Sequence, residues 1–368
     1  MALTFTVGRS NLRDTRWVQT QPAPLATGAV RMAIESFALT SNNITYAAFG
    51  DAMSYWTFFP TGDPATGCIP VWGFGNVAET RCEGVSVGER FYGYFPIADA
   101  VDLHPVKVKA AGFMDGAPHR RQLSAIYNHY QRCSSDALDD PAREAEQALL
   151  RPLFTTSFLI DDFLADNDDF GAQTVVLSSA SSKTAYGTAH CIGRRRGAAR
   201  TPRVVGLTSA ANAAFTRELD CYDEVLVYED VARLPADAPT VYVDMSGSVT
   251  VRAAVHAHLL DALKYSCSVG GTHWSDLGGS KGLPGPRPVL FFAPAQAAKR
   301  REQWGADGFD RRVAEAWNAF LSAATGATPR WLDVVRGSGP EAVERTYLRL
   351  LDGTVPAREG HVLTLLPA

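Results

Sequence analysis

The six cysteines, at 68, 82, 133, 191, 221 and 267, form no CxxC pair and no zinc-knuckle spacing, so a structural zinc site is not expected. An excess of one charge is also missing. Thirty-five Lys and Arg stand against 39 Asp and Glu, and the formal net charge of −4 leaves no electrostatic footprint for nucleic acid or an anionic membrane. No run approaches the about 18 consecutive apolar residues of a membrane-spanning helix. The opening MALTFTVGRSNLRDTRWVQT is polar where a secretory signal carries its apolar core. Internal repeats and low-complexity segments are absent too. The absences together lead us to expect a cytoplasmic protein that acts on a small molecule and binds neither nucleic acid nor membrane, with a homodimer left open. The one local basic cluster, RRRG at 194–197 with Arg200 and Arg203, reads as a solvated helix end and loop.

The composition, 46% hydrophobic and 20% charged, is that of an average globular protein, and 368 residues suffice for two domains. The first hundred residues are β-rich. GAVRMAIESFALT (28–40) alternates apolar and polar positions as a half-buried strand does, and an aromatic run, YAAFGDAMSYWTFFP, follows. IPVWGFGNVAET (69–80) and GVSVGERFYGYFPIA (84–98) read as further glycine-punctuated strands of a small barrel or folded sheet. From 141 onward the pattern changes. PAREAEQALLRPLFTTSFLIDDFLADN has helical spacing, and four strands (174–179, 203–209, 224–230, 240–247) then alternate with helical segments. Such alternation implies right-handed βαβ units and a parallel sheet. KYSCSVGGTHW (264–274) reads as one more strand, 275–290 as a Gly/Pro loop, the segment after it as two helices, and HVLTLLPA (361–368) as a final strand. The expected fold class is α/β: a doubly wound Rossmann sheet over 141–340 plus a β-rich substrate domain built from 1–140 and 341–368, with the active cleft between them.

At the end of the first strand of the alternating half, QTVVLSSASSKTAYG (173–187) runs from strand to helix with no glycine before Gly187. A Rossmann phosphate loop needs small residues in the spacing small-x-small-x-x-small, for a tight turn, close backbone approach and helix–strand packing. Ala180, Ser182 and Ala185 meet that spacing without glycine. Ser179, Ser181 and Thr184 add hydroxyl donors, Lys183 a positive charge, and the helix start a favourable dipole for a diphosphate. A nucleoside triphosphate P-loop fails, because Leu177 and Ser182 occupy both of its glycine positions. The remaining alternative is a plain serine-rich turn. The second strand ends in Thr208-Ser209, followed by Asn212, with no carboxylate to repel a 2′-phosphate, which points to NADP(H) rather than NAD.

The sequence resembles the medium-chain dehydrogenase/reductase superfamily in its zinc-free branch, with the quinone oxidoreductases and enoyl reductases. MAIESFALTSNNITY (32–46), IPVWGFGNV (69–77) and VGERFYGYFP (87–96) echo the family's substrate-domain motifs in order. VVLSSASSKTAYGTA, VVGLTSAANAAFTRELDCYDEVLVYED and TVYVDMSGS echo its nucleotide-binding half. The resemblance implies a GroES-like substrate domain, NADP(H) as cofactor, Tyr228 as the family's nucleotide-binding tyrosine, and Asp244 and Gly247 as the loop beneath the nicotinamide. It places the family's early Asp on Asn43, a substrate-side position, and it implies no metal, since GFGNV stands where zinc enzymes carry a His-Glu pair. SSASSKTA and THW set the chain apart as a subfamily of bacterial and fungal proteins.

The implied activity is zinc-independent, NADPH-dependent reduction of an α,β-unsaturated carbonyl, quinone or ketone; the alternative is a lyase, isomerase or retro-aldol enzyme on the same fold without net hydride transfer. A donor near the developing oxyanion is then required. Tyr46 and Tyr55 are the first candidates, with packing as their other reading. His273 and Trp274 close the strand after SCSVGG, where His273 either donates to a carbonyl or caps the strand. RRQLSAIYNHYQR (120–132) reads as a helix whose Arg121, Tyr127, Asn128 and Tyr130 either bind a substrate carboxylate or phosphate or form an interdomain network. Trp56, Phe58 and Phe59 form a substrate wall or fill the core.

Overall fold

A computed structural model describes residues 2–136, 138–197, 201–269, 282–326 and 328–366. The chain divides into unit 1, Met1–Leu149 with Asp333–Ala368, and unit 2, Leu150–Leu332. Unit 1 begins with β1 (Ala2–Gly8), β2 (Thr15–Thr20) and β3 (Val30–Leu39), followed by α1 (Ser41–Ala48). Next come β4 (Thr66–Gly67), β5 (Pro70–Thr80), β6 (Arg90–Pro96), β7 (Ala100–Leu103), β8 (Pro105–Lys109), β9 (Gly112–Asp115) and β10 (His129–Arg132). β1 pairs with β2 and β4 in a small sheet, while the larger sheet runs antiparallel through β3-β5-β6-β10-β9-β8, with β7 also on β3. The alternation read in 28–40 is realised in β3: Val30, Met32 and Ile34 are buried between half-exposed Arg31 and Ala33. They join Phe5, Phe37, Phe91 and Phe95 in one apolar core.

The segment 120–132 is not the helix expected from its spacing. It forms two single 3-10 turns, Pro118–Arg120 and Ala125–Tyr127, before entering β10. The physical reason is Arg120, which is fully buried and draws the chain around itself. Its Nε donates to Asn128 Oδ1 at 2.9 Å, its Nη1 to Asp115 Oδ2 at 2.7 Å and to Tyr130 Oη at 3.1 Å, and its Nη2 to the Tyr127 carbonyl at 2.7 Å. A regular helix would place those acceptors on different faces.

In unit 2 the buried strand–helix alternation becomes a parallel sheet. After α2 (Glu144–Asp166) come β11 (Thr174–Leu177), α3 (Lys183–Arg194), β12 (Arg203–Thr208), α4 (Ala213–Glu218), β13 (Glu224–Val227) and β14 (Thr240–Asp244). α5 (Val249–Leu259), β15 (Leu263–Ser268), β16 (Val289–Leu290), α6 (Ala293–Trp304) and α7 (Ala306–Gly326) follow. All pairs are parallel, in the order β13-β12-β11-β14-β15-β16. That is the 3-2-1-4-5-6 order of a doubly wound dinucleotide sheet, with its switch point between β11 and β14. β11 and β14 are buried at every position, which is why they read as continuous apolar runs rather than alternating ones. β16 lies at the end of the segment whose composition predicts a Gly/Pro loop; two residues are too short a run to register as a strand by pattern.

α3 lies tight on α2. Ser157 Oγ donates to the Thr184 carbonyl at 2.8 Å, and a Cβ added at Gly187 would sit 2.6 Å from that same oxygen. The chain then returns to unit 1 through β17 (Asp333–Ser338), α8 (Pro340–Leu351) and β18 (Glu359–Thr364). The Rossmann half was expected to reach 340. Residues 333–338 instead belong with unit 1, because β17 pairs along its whole length with β18, which in turn pairs with β3.

Candidate functional site

The turn after β11 is built on Ser179, whose φ of 51° is the left-handed conformation a glycine would adopt at no cost. The tight turn therefore falls at Ser179, one residue before the Ala180 of the expected spacing. The loop consumes much of its own backbone. The Ser179 N–H donates to the Tyr228 hydroxyl at 3.1 Å, the Ala180 N–H to the Leu207 carbonyl, and the Ser182 N–H to the Ser179 carbonyl. Ala180 also gives its carbonyl to the Tyr222 hydroxyl and is fully buried, so no backbone group of Ala180 is left for a ligand. What the loop does present is the start of α3. Ser182 caps it, accepting from the Ala185 N–H, and Lys183 and Thr184 stand half-exposed in its first turn. Ser181 is buried beside them.

At the end of β12, Thr208 is buried, and half-exposed Ser209 precedes the 3-10 turn Ala210–Asn212 without capping it through its side chain. Asn212, also half-exposed, gives its carbonyl to Thr216. No carboxylate stands at this strand end. A hydroxyl-bearing helix start, a lysine and a neutral polar strand end fit the diphosphate and 2′-phosphate of a dinucleotide.

Asp244, at the end of β14, is fully buried, and its carboxylate is saturated. Oδ1 accepts from Ser178 Oγ at 2.9 Å, from Ser246 N and Oγ, and from Gly247 N, while Oδ2 accepts from Arg252 Nε at 2.8 Å. Ser178 Oγ in turn accepts the N–H groups of Met245 and Ser246. The carboxylate thus joins the loops after the two central strands, on either side of the switch point. Gly247, at φ 66°, makes the turn that brings the loop back to α5.

In unit 1 the sequence candidates Tyr46, Tyr55 and Tyr127 come together with Tyr94. Ring centroids lie 4.5 Å apart for Tyr46–Tyr55, 4.8 Å for Tyr94–Tyr127 and 5.7 Å for Tyr46–Tyr94. The Tyr55 and Tyr127 hydroxyls are 3.4 Å apart. Burial pushes the phenols of all four well above the ordinary tyrosine range, and the neighbouring hydroxyls raise them further. For Tyr46 the Trp72 indole and Asn42 amide oppose the shift without reversing it. These phenols are therefore neutral donors, not bases. The Tyr94 hydroxyl, fully buried, has no hydrogen-bond partner among the described residues. Tyr46 sits on α1 and Tyr55 on a 3-10 turn, within what reads in sequence only as an aromatic run.

Two substrate-side expectations are corrected. Asn43 is a buried helix-capping residue: its Oδ1 accepts from the Thr40 N–H at 2.7 Å and its Nδ2 donates to the Pro70 carbonyl at 2.9 Å, so the amide is committed to the fold. Its neighbour Asn42, which carried no sequence signal, is the amide that faces Tyr46. Trp56 is core; its ring lies so close over Gly50 and Gly67 that a Cβ at either would fall within 2.3 Å of it. Phe58 and Phe59 stack on the Arg120 guanidinium. Arg120 and Tyr94 were missed because a lone arginine or strand tyrosine carries no pattern. His273 and Trp274 lie outside the described residues. Among the described residues no three His, Cys, Asp or Glu side chains cluster as a metal site, and no helix is long and apolar enough to cross a membrane.

No curated protein matches the chain. Its fold is similar to that of CurA from Vibrio vulnificus in complex with NADPH, at 15% identity and a TM-score of 0.61 over all of both chains. It is also similar to the quinone oxidoreductase from Coxiella burnetii (12% identity, TM-score 0.55, all of both chains). A third likeness is to the CurF ER cyclopropanase from the curacin A biosynthetic pathway (12% identity, TM-score 0.59, 99% of each chain). At these identities the likeness is one of fold: a Rossmann sheet joined to a β-rich unit. The model of the family described as "Protein of unknown function (DUF2855)" matches residues 37–356, and the chain belongs to that family.

Proposed function

We propose that the chain is an NADPH-dependent oxidoreductase of the zinc-free medium-chain type, reducing an α,β-unsaturated carbonyl, a quinone or a ketone. The observation that carries this reading is the 3-2-1-4-5-6 parallel sheet whose first strand ends in a hydroxyl-rich turn at the start of α3. The fold shared with a protein crystallised with NADPH supports it. In this reading Ser181, Lys183 and Thr184 hold the diphosphate, Ser179 and Ser182 shape its turn, Ser209 and Asn212 take the 2′-phosphate, and Tyr228 lines the same edge. The bound nicotinamide supplies the hydride. The chain's own contribution is electrostatic. Tyr46, Tyr55 and Tyr127 stay protonated through burial and donate to the substrate oxygen as negative charge develops on it.

Titration with NADPH while following tryptophan fluorescence, then turnover with an enone, a quinone and a ketone, tests this. Saturable quenching and NADPH consumption are expected; a protein that does not bind NADPH ends the proposal. Tyr46→Phe is expected to lower kcat by about 100-fold with the NADPH affinity unchanged. A second reading, a lyase, isomerase or retro-aldol enzyme without net hydride transfer, is favoured by the number of loop N–H groups already used internally. Conversion of a ketone by the protein without cofactor would select it.

A further inference from the structure

Arginines tied into the interior elsewhere in the molecule use all three guanidinium nitrogens. Arg120 uses Nε and both Nη groups; Arg195 gives Nε to Asp161 and both Nη groups to Asp169. Arg300 likewise divides its three nitrogens among Asp162, Gln303 and Asp166. Arg252 is different. It is only 9% exposed, yet among the described residues its side chain has one partner, Asp244, reached through Nε. A guanidinium carries five N–H donors, so the four on its Nη groups face no protein acceptor there. Neither Nη is among the buried polar atoms that lack a partner, so the stem and Nε are enclosed while the fork reaches the surface, open to an acceptor from outside the chain.

The position of Arg252 says what such an acceptor would be. It lies in the first turn of α5, directly after β14, and one carboxylate separates it from Ser178, where the loop to α3 begins. This is the carboxyl edge of the sheet at its switch point, where open parallel sheets bind ligands. Asp244 neutralises the charge of Arg252 and fixes the plane of the guanidinium through Nε. What remains is a rigid fork of N–H donors, the geometry that matches phosphate oxygens. We infer that Arg252 is a phosphate-binding residue whose Nη groups take the diphosphate of a bound dinucleotide. The inference rests on the NADPH reading for the identity of that ligand, while the contact itself is defined by the phosphate chemistry. It also answers how a turn without glycines can hold a diphosphate: the donors its backbone has spent internally are replaced from α5.

Calorimetric titration of the full chain with inorganic diphosphate and, separately, with NADPH tests the inference in wild type, Arg252→Gln and Arg252→Lys. Gln keeps a donor toward Asp244 and loses the fork. It is expected to weaken both ligands by about tenfold, the worth of one charge-assisted hydrogen bond, and Lys by less. Wild-type affinity for both ligands in Arg252→Gln overturns the inference, as does a loss confined to NADPH, which would place the contact on another part of the cofactor. If wild type binds diphosphate, Arg252→Gln does not, and neither binds NADPH, the phosphate site stands and the NADPH reading falls. Binding of neither ligand by wild type overturns both. Should Arg252→Gln fail to fold, Arg252→Lys carries the test, and unchanged diphosphate affinity there overturns it.

Discussion

Arg120 in unit 1 and Arg252 in unit 2 are both buried and both paired with an aspartate, but they are used differently. Arg120 donates to a carboxylate, an amide, a phenol and a backbone carbonyl, and is stacked on Phe58 and Phe59. Arg252 touches one carboxylate oxygen. Burial of a charge alone therefore does not mark function. The informative quantity is the fraction of its hydrogen-bonding capacity already satisfied by the protein: a saturated arginine organises the fold, and a half-used one leaves capacity for something else. The two aspartates reinforce the point from the other side, since each is held by several donors and neither has room for a ligand.

The contrast can be broken most severely at Arg120. Arg120→Met strands the Asp115 carboxylate in the interior and should cost about 3–5 kcal/mol. Urea denaturation followed by fluorescence would measure it, and a loss below about 1 kcal/mol would contradict a saturated, fold-organising role. A smaller effect comes from His190 in unit 2. Its Nε2 has no partner among the described residues, its ring packs against Phe320 and Trp331, and burial, with Arg194 nearby, pushes its pKa down to about 4. The folded state then refuses a proton that the unfolded chain accepts at its ordinary pKa near 6.5. Stability is intact above about pH 6.5 and falls by about 2–3 kcal/mol as the pH drops toward 4. His190→Phe should flatten that difference; parallel pH curves for the two proteins would refute it. The smallest change is Tyr94→Phe. Removing a hydroxyl with no partner should leave stability unchanged or raise it by about 1 kcal/mol. A clear loss in thermal melts would mean that the hydroxyl has a partner after all.

The parallel sheet was legible because its strands are buried on both faces and its helices alternate with them, so local hydrophobic pattern and topology coincide. The β-rich half was legible only where one face is polar, as in β3. Between 118 and 132 the fold is organised by a buried ion and its hydrogen bonds, which have no period, and the helix expected there does not exist. Among site residues, Tyr46, Tyr55 and Tyr127 were drawn together by a shared interior that sequence only hinted at through aromatic density. Asn42 rather than Asn43 faces Tyr46 because one residue along a helix rotates a side chain by about 100°, a step that spacing to a motif does not resolve. Arg252 had no sequence signature; its meaning depends on counting partners in space.

The contact at Gly187 sets the terms on which any ligand enters the serine turn. With Ser157 pressed against the place a Cβ would occupy and bonded to the Thr184 carbonyl, α3 is welded to α2 within its first turn and a half. The helix start cannot retreat to make space. Accommodation has to come from swinging the side chains of Ser181, Lys183 and Thr184, so binding there will select for a ligand that fits the turn as it stands rather than one that reshapes it.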